Sequence, residues 1–192
     1  SNSAVINSSL NTTTSNSRPG IRVKSASNIT AANNTIITDI LGRGISDGCG
    51  ACQIINNSFT AASANEGDGI IVIGDNTLVS NNSFTNFASS NIIGSSNNFT
   101  LNKFYNFSTY GIYTSGSSNL ITNNTFSSSN AAANAIYVEP GSSSNTFLYN
   151  NITADIWVFD EDSTGNYYNT STKGNIYYFT NGTGAWTSSP NG

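Results

Sequence analysis

An asparagine that recurs two residues before an apolar anchor constrains this chain more than any other feature. Successive anchors are separated by 23, 25, 20, 22 and 26 residues, and a second apolar residue lies five positions before each of them. A period of this length, kept over most of a chain, is typical of a solenoid in which each repeat forms one coil. The anchors are Ile36, Phe59, Phe84, Phe104, Phe126 and Ile152, and the asparagines are Asn34, Asn57, Asn82, Asn102, Asn124 and Asn150.

The residue types within the repeat favour short strands over helices. The repeats are rich in Asn, Gly, Ser, Thr and β-branched residues, which are poor helix formers. A leucine-rich repeat needs leucine at several fixed positions, and the chain has only six leucines. We therefore predict an all-β solenoid of about seven coils, in which each strand pairs in parallel with its counterpart one coil away.

The recurrent asparagine is predicted to line one corner of this solenoid. Asparagine tolerates left-handed backbone angles, and its amide can satisfy buried backbone groups in a tight turn. Coils stacked in register bring like residues into columns, so each amide can donate to the next. The apolar anchors would stack in the same way and fill the interior of the coil. The six asparagines are thus expected to form a structural ladder along the axis.

The repeat predicts one domain over residues 1–192, with no internal boundary. Residues 1–19 form a polar N-terminal segment, residues 20–154 the repeats, and residues 155–192 the last coil and an aromatic C-terminal segment. The aromatic residues of the last segment lie between glycines, which predicts a hairpin-like cap over the open edge of the last coil. No amphipathic helix is evident that could cover the first coil. We expect a second copy to cover it, in a head-to-tail assembly.

Composition favours an extracellular protein. The chain carries six basic and ten acidic residues, with a net charge of −4 and no basic stripe, which argues against nucleic acid as a partner. It has no methionine, so we expect either that a leader has been removed or that the sequence is a fragment of a longer protein. No apolar run approaches the ~20 residues of a membrane span. Histidine is absent, which removes the commonest general base and metal ligand.

Two cysteines, Cys49 and Cys52, form a C-x-x-C motif. Such a motif can be a redox centre or half of a zinc site. A redox centre would need a helix N-terminus to lower the pKa of the thiol, and a zinc site would need two further ligands. A local disulfide that pins the turn before the next strand is the favoured interpretation. We predict no metal and no cofactor.

Few charged residues are available for chemistry. Arg43 and Asp68 each lie two residues before an apolar anchor, so we expect an exposed ion pair between neighbouring coils. Glycoside hydrolysis needs two carboxyl groups roughly 5–9.5 Å apart, and a cluster of carboxylates can bind Ca²⁺. Solvated turn charges are the favoured interpretation, and we predict no catalytic residue. The acidic candidates are Asp39, Asp47, Glu66 and Asp68 around Arg43, and the triplet Asp160, Glu161 and Asp162.

Asparagine sequons of the form N-x-S/T occur along the whole chain. Several of these sequons begin with two adjacent asparagines, of which the first is the glycosylation acceptor and the second is the ladder residue. An outward sequon in each coil would coat one face of the rod with N-linked glycans. The candidates are Asn33, Asn56, Asn81, Asn98, Asn106, Asn123, Asn151, Asn169 and Asn181.

The stretch G-I-Y-T-S-G-S-S-N-L-I-T-N-N-T-F, which begins at Gly111, resembles the right-handed parallel β-helix repeat superfamily. The likeness extends over the repeats, from Gly20 to about Thr153. It is particularly marked to the repeats of periplasmic copper-accessory proteins and of prokaryotic cell-surface proteins. The resemblance implies a right-handed, single-stranded parallel β-helix. It implies little about activity, because this fold carries enzymes, tailspikes and structural surface proteins alike.

The favoured hypothesis is a secreted, glycosylated structural subunit of a surface layer, appendage or filament that assembles head to tail. The alternative is a carbohydrate-binding or carbohydrate-cleaving β-helix of a larger secreted protein. Exposed aromatic residues on one sheet, with Tyr105, Tyr110 and Tyr113 as the candidates, would favour that alternative.

Overall fold

The computed structural model describes residues 3–12, 19–38, 42–62, 67–161, 164–170, 172, 174–178 and 185–187. The regular elements within these ranges are all β-strands, and they form three sheets. No helix in the described ranges has the length and apolar character needed to cross a membrane.

Up to β21, each sheet is built from every third strand of the chain, and β22 and β23 are added to one of the three. Sheet A contains β1 (Ser3–Ile6), β4 (Ile29–Ala32), β7 (Gln53–Ile55), β10 (Leu78–Ser80), β13 (Asn98–Thr100), β16 (Leu120–Thr122) and β19 (Thr146–Leu148). Sheet B contains β2 (Ser9–Thr12), β5 (Thr35–Thr38), β8 (Ser58–Ala61), β11 (Ser83–Thr85), β14 (Lys103–Tyr105), β17 (Thr125–Ser127), β20 (Asn151–Thr153), β22 (Ile176–Tyr178) and β23 (Ala185–Thr187). Sheet C contains β3 (Pro19–Ser27), β6 (Arg43–Gly50), β9 (Asp68–Val72), β12 (Ser89–Ile92), β15 (Tyr110–Thr114), β18 (Asn134–Val138) and β21 (Ile156–Asp160).

One strand from each sheet makes one coil, and the described residues contain seven such sets. Every pairing between coils is parallel, and the antiparallel pair β22–β23 follows the last coil. The predicted all-β parallel solenoid is confirmed. Its first coil already includes β1 and β2, which lie within the segment 1–19.

The core consists of apolar columns that follow the coil repeat. In sheet B, Phe59, Phe84, Phe104 and Phe126 stack with ring centroids 5.0, 5.2 and 4.9 Å apart. This distance matches the ~4.8 Å separation of paired strands, because each ring stands directly over the ring of the coil before it. All four side chains are buried. No coil could bury its ring alone, so the stability of the solenoid comes from contacts between neighbouring coils.

Glycines allow the coils to approach closely at the turn that follows sheet C. Gly74, Gly94 and Gly116 form a column in which a Cβ atom on each residue would clash with backbone of the preceding coil. The obstacle is the carbonyl oxygen of Cys49, Gly74 and Gly94, respectively. Glycine is required here by the lack of space for a side chain.

An aromatic C-terminal segment covers part of the last coil, as predicted. Tyr168 stacks on Phe147 with centroids 5.1 Å apart, and Tyr177 stacks on Trp157 with centroids 5.0 Å apart. β22 adds to sheet B in parallel, and β23 returns beside it. The segment thereby extends sheet B beyond the end of sheet C at β21.

Candidate functional site

A continuous asparagine ladder lies at the corner between sheets A and B. The Oδ1 atom of Asn82 accepts from both the backbone N–H and the Nδ2 of Asn57, each at 2.9 Å. The Nδ2 of Asn57 also donates to the carbonyl oxygen of Ala31 at 2.9 Å. The same arrangement repeats from Asn34 to Asn150 and then continues to Asn175. Each buried amide is therefore satisfied by the coils on either side.

The ladder asparagines do not have the left-handed backbone that the sequence analysis attributed to them. That conformation belongs to the residue immediately before each ladder asparagine. The corner therefore needs two different residues: an exposed one that bends the chain and a buried one that bonds the coils. The residues with positive φ at this corner are Asn33, Asn56, Asn81, Leu101, Asn123 and Tyr149.

A second ladder, which the sequence analysis missed, lies at the corner between sheets C and A. The backbone N–H of Asn97 donates to the Oδ1 of Asn119 at 2.8 Å, and Asn119 is bonded to Asn145 in the same way. Asn145 in turn bonds to Asn166. The sequence signal for this ladder is an asparagine two residues before the apolar residue that lies five positions ahead of each anchor. It is weaker because Thr77 occupies the same position one coil earlier, where its N–H donates to the Oδ1 of Asn97.

A disulfide joins Cys49 and Cys52. Cys52 occupies the second-ladder position of its coil, where its Sγ accepts from the backbone N–H of Ile29 at 3.1 Å. Both cysteines are buried. The cysteine pair thus replaces one amide of the ladder and closes the turn at the same time.

The sequon asparagines differ in how accessible they are. Asn33, Asn56, Asn81, Asn123 and Asn151 are exposed, whereas Asn98, Asn106 and Asn169 are half-buried. The exposed residues at the first ladder border a groove of about 380 Å³. Asn106 lies in an outer amide column, in which its Nδ2 donates to Asn86 at 2.8 Å. Asn181 lies outside the described residues.

Sheet C carries a polar cluster on its outer face. Arg43 Nε lies 3.3 Å from Asp68 Oδ2, which confirms the predicted ion pair. The other oxygen of Asp68 accepts from Ser89 Oγ at 2.7 Å and from Asn91 Nδ2 at 2.9 Å. The register places these residues on consecutive strands of the sheet. Their hydrogen bonds hold the side chains together on the surface.

An aromatic column continues the same face toward the last coil. Tyr113, Tyr137 and Phe159 stack with centroids 5.4 and 5.5 Å apart, and Tyr110 packs against the first two at a tilt. Tyr105 lies in sheet B, so the expectation that it shares a sheet with Tyr110 and Tyr113 is wrong. Strand alternation shows which residues point outward, but it does not show which sheet a short strand joins.

Carboxylates border the aromatic column and raise the pKa values of its phenol groups. A hydrogen bond to Glu161, followed by partial burial, raises the pKa of Tyr137 from 10.0 to about 12. Burial and a hydrogen bond to Glu139 raise the pKa of Tyr113 well above its ordinary value. Both phenols therefore stay protonated well above neutral pH and can donate hydrogen bonds to the neighbouring carboxylates.

The structure does not bring the predicted acidic candidates together as a catalytic pair among its described residues. Asp39, Glu66 and Asp162 lie outside those residues, as does the side chain of Asp47. Asp160 accepts from the phenol of Tyr168 at 2.5 Å. Within the described ranges, no group of three or more His, Cys, Asp or Glu residues is placed to hold a metal ion.

The stacked coils, the three parallel sheets and the buried asparagine ladders define a parallel β-solenoid. The family model described as a right-handed β-helix region matches residues 20–183, and the chain belongs to this family. Among solved structures, the chain is similar to a double mutant of the tailspike protein of Escherichia coli bacteriophage HK620, with 11% sequence identity and a TM-score of 0.48. The similarity covers 92% of this chain and 49% of the tailspike chain, so the chain spans about half of that protein's length. No curated protein matches the sequence.

Proposed function

We propose that this protein is an extracellular structural subunit that assembles head to tail through the ends of its solenoid. The proposal is supported by the core, which is less covered at both ends than in the middle. Val5 and Leu10 in the first coil and Val158 in the last are only partly buried. Their counterparts one coil inward, such as Ile36 and Ile136, are fully buried.

A second copy stacked on either end would cover this surface. The outermost strands β1, β2 and β3 each have a partner on one side only in the described residues, and so does β21 in sheet C. Unpaired strand edges favour pairing with another chain. Joining the first coil of one copy to the last coil of another is a heterologous contact, and such contacts produce filaments when they do not close into a ring.

Glycans on the exposed sequon asparagines would confine assembly to the axis. Asn33, Asn56, Asn81 and Asn123 project from one corner of the rod, in coils that lie between the first and the last. Bulky, solubilising sugars there would hinder contacts between the sides of neighbouring rods. The ends would remain free to stack. Intact mass before and after enzymatic deglycosylation measures how much glycan is attached.

Electron microscopy and light scattering of the purified protein test assembly directly. We expect rods that lengthen with protein concentration. Val158→Asp should prevent lengthening, because it introduces a charge into the partly covered end of the core. Ile73→Asp is the matched control, because Ile73 is 53% exposed on the side of the rod. A wild-type protein that stays monodisperse at high concentration would contradict the proposal.

Carbohydrate binding on the outer face of sheet C is the second candidate function. The rings that contact Tyr113 in the described residues are those of Tyr110 and Tyr137. Asn91, its neighbour one coil earlier, has no ring to stack on Tyr113 and donates its amide to Asp68. A sugar stacked on this ring could donate hydroxyl groups to Asp68. The surrounding carboxylates favour a neutral sugar over an acidic one.

Calorimetric titration with cellohexaose and chitohexaose tests this second function. We expect binding that is lost in Tyr113→Ala and kept in Tyr105→Ala, the control on sheet B. The absence of heat with both neutral oligosaccharides would count against a sugar site here. Turnover of a polysaccharide that Asp68→Ala abolishes would instead establish an enzyme.

A further inference from the structure

The charges of this chain are distributed unevenly along the solenoid axis. Three of the six basic residues lie within residues 18–24, and four of the ten acidic residues lie within residues 155–162. Because the chain advances coil by coil, the described parts of these segments, residues 19–24 and 155–161, belong to opposite ends of the rod. Arg22 and Lys24 are exposed at the β3 edge, and Asp160 and Glu161 are exposed at the β21 edge. The two ends of sheet C therefore carry opposite charges.

The register of sheet C shows which residues would meet if the sheet continued into another copy. Arg22 begins an outward column that runs through consecutive strands and ends at Phe159. The adjacent column begins at the partly buried Val23 and ends at Asp160, which is exposed in the last coil. Lys24 lies one residue further along β3, and Glu161 directly follows β21. By backbone register, the positions paired with Arg22 in successive coils are Ser46, Ile71, Asn91, Tyr113, Tyr137 and Phe159.

We infer, on the basis of the proposed head-to-tail function, that β21 of one copy pairs in parallel with β3 of the next in this same register. Val158 then lies opposite Ile21, and the core column continues across the junction. Phe159, which is 45% exposed, receives the Arg22 guanidinium on its ring. Glu161 lies opposite Lys24, on paired strands about 4.8 Å apart.

Sheet C is the sheet that can continue in this way. In sheet B the outer side of β22 is already occupied by β23, which is antiparallel and therefore interrupts the parallel repeat. In sheet A, β19 is followed by isolated bridges from Thr146 to Tyr167 and from Ser143 to Thr164. The described residues place no strand beyond β21 in sheet C.

Charge at this junction would set the direction of assembly. An exposed ion pair contributes little affinity by itself, but like charges placed opposite each other repel. Two β3 edges brought together would oppose Arg22 and Lys24 with the same residues. Two β21 edges would oppose Asp160 and Glu161 in the same way. The head-to-tail pairing is the arrangement that matches positive with negative charge.

Charge reversal at the two edges tests the junction. We expect Lys24→Glu and Glu161→Lys each to raise the critical concentration for polymerisation about tenfold or more, because each places like charges opposite each other. The double variant should polymerise like the wild type. Lys103→Glu, on the side of the rod, is the control and should leave polymerisation unchanged. Circular dichroism checks that each variant keeps its β structure.

Mixing the two single variants gives a second readout, which folding defects cannot imitate. In an equal mixture every junction can pair opposite charges, so we expect polymers in which the two variants alternate. This junction is wrong, and the proposed function stands, if the wild type polymerises and neither single variant is impaired. The same holds if the wild type polymerises but both the mixture and the double variant fail to do so. A wild-type protein that never polymerises would overturn the proposed function, and the junction with it.

Discussion

Each corner between sheets A and B uses two adjacent residues for two tasks. The first adopts positive φ and is exposed, and the second is buried and bonds to the next coil. Asparagine suits both tasks, since it tolerates the left-handed region and carries both a donor and an acceptor. The conformation and hydrogen bonding of the backbone at this corner therefore explain why two asparagines stand next to each other. These pairs begin at Asn33, Asn56, Asn81 and Asn123.

Loss of one ladder amide should destabilise the solenoid strongly. Asn124→Ala removes the acceptor for the N–H and Nδ2 of Asn102 and the donor to the Phe99 carbonyl oxygen, all of them buried. Asn102 Nδ2 keeps its hydrogen bond to the Val79 carbonyl oxygen, so two buried groups lose their partner. Each costs about 1–3 kcal/mol, so we expect the free energy of unfolding to fall by roughly 2–6 kcal/mol. Urea denaturation followed by circular dichroism measures this. Asn123→Gly, the exposed neighbour with positive φ, is the control, and an equal effect of the two changes would contradict the ladder's role.

Replacing a strained leucine should stabilise the protein. Leu101 has φ 59° and is 55% exposed, so its side chain gains little from burial while its backbone is in the left-handed region. That region costs a leucine roughly 1–2 kcal/mol, and asparagine visits it far more readily. We expect Leu101→Asn to raise the free energy of unfolding by about 0.5–1 kcal/mol. The same change at Leu120, which is 37% exposed and lacks positive φ, should bring no gain.

At the scale of strands and sheets, the elements that can be predicted from the sequence are those whose side chains must be buried in the core. Apolar anchors recur because each must point inward, so the strands of sheets A and B and the first ladder could be located from the sequence. The ladder's extension to Asn175 was missed because its anchor is Tyr177, an aromatic residue with a hydroxyl group. The second ladder was missed because Ile29, Cys52 and Thr77 occupy its first positions. The backbone N–H at this corner can donate to several kinds of side-chain acceptor, so the residue type at the ladder position varies.

The outer faces could be predicted least, because solvent does not select for one residue type. Ion pairing between Arg43 and Asp68 could be anticipated, since both precede equivalent anchors. The aromatic column could not, because its members are separated by whole coils. Tyr113 and Tyr137 meet only because the intervening turns return the chain to the same sheet.

The tyrosine column makes sheet C sensitive to alkaline pH. The pKa of Tyr137 is about 12 in the folded protein, against an ordinary value of 10.0, so the folded state holds this proton more tightly than the unfolded state. The resulting stabilisation is fully present below pH 10 and is lost as the pH rises toward 12. We expect the free energy of unfolding, measured in urea, to fall across this window. Tyr137→Phe should make the fall shallower, and an unchanged slope would contradict the assignment.

At the scale of the whole molecule, the solenoid is a rod with three kinds of surface. Its sides carry the exposed asparagines together with separate apolar side chains such as Ile73 and Leu101, whereas its ends expose parts of the apolar core. Among the described residues, Arg22 and Lys24 are exposed at one end, and Asp160 and Glu161 are exposed at the other. Apolar burial is non-directional, so it would hold two ends together in either polarity. Charge is the property that distinguishes one end from the other.

Salt should therefore slow assembly more than it weakens the finished polymer. Raising NaCl from about 0.1 to about 1 M shortens the Debye length from about 10 to about 3 Å, which screens the attraction between opposite ends before they touch. We expect the elongation rate, followed by light scattering, to fall severalfold, because complementary charge acts mainly on the rate of encounter. The amount of polymer recovered by sedimentation should change less, since contact buries apolar residues. A variant carrying Lys24→Gln and Glu161→Gln should elongate slowly at both salt concentrations. Elongation that is faster at high salt in the wild type would mean that apolar burial alone, and not the charge of the two ends, directs the encounter.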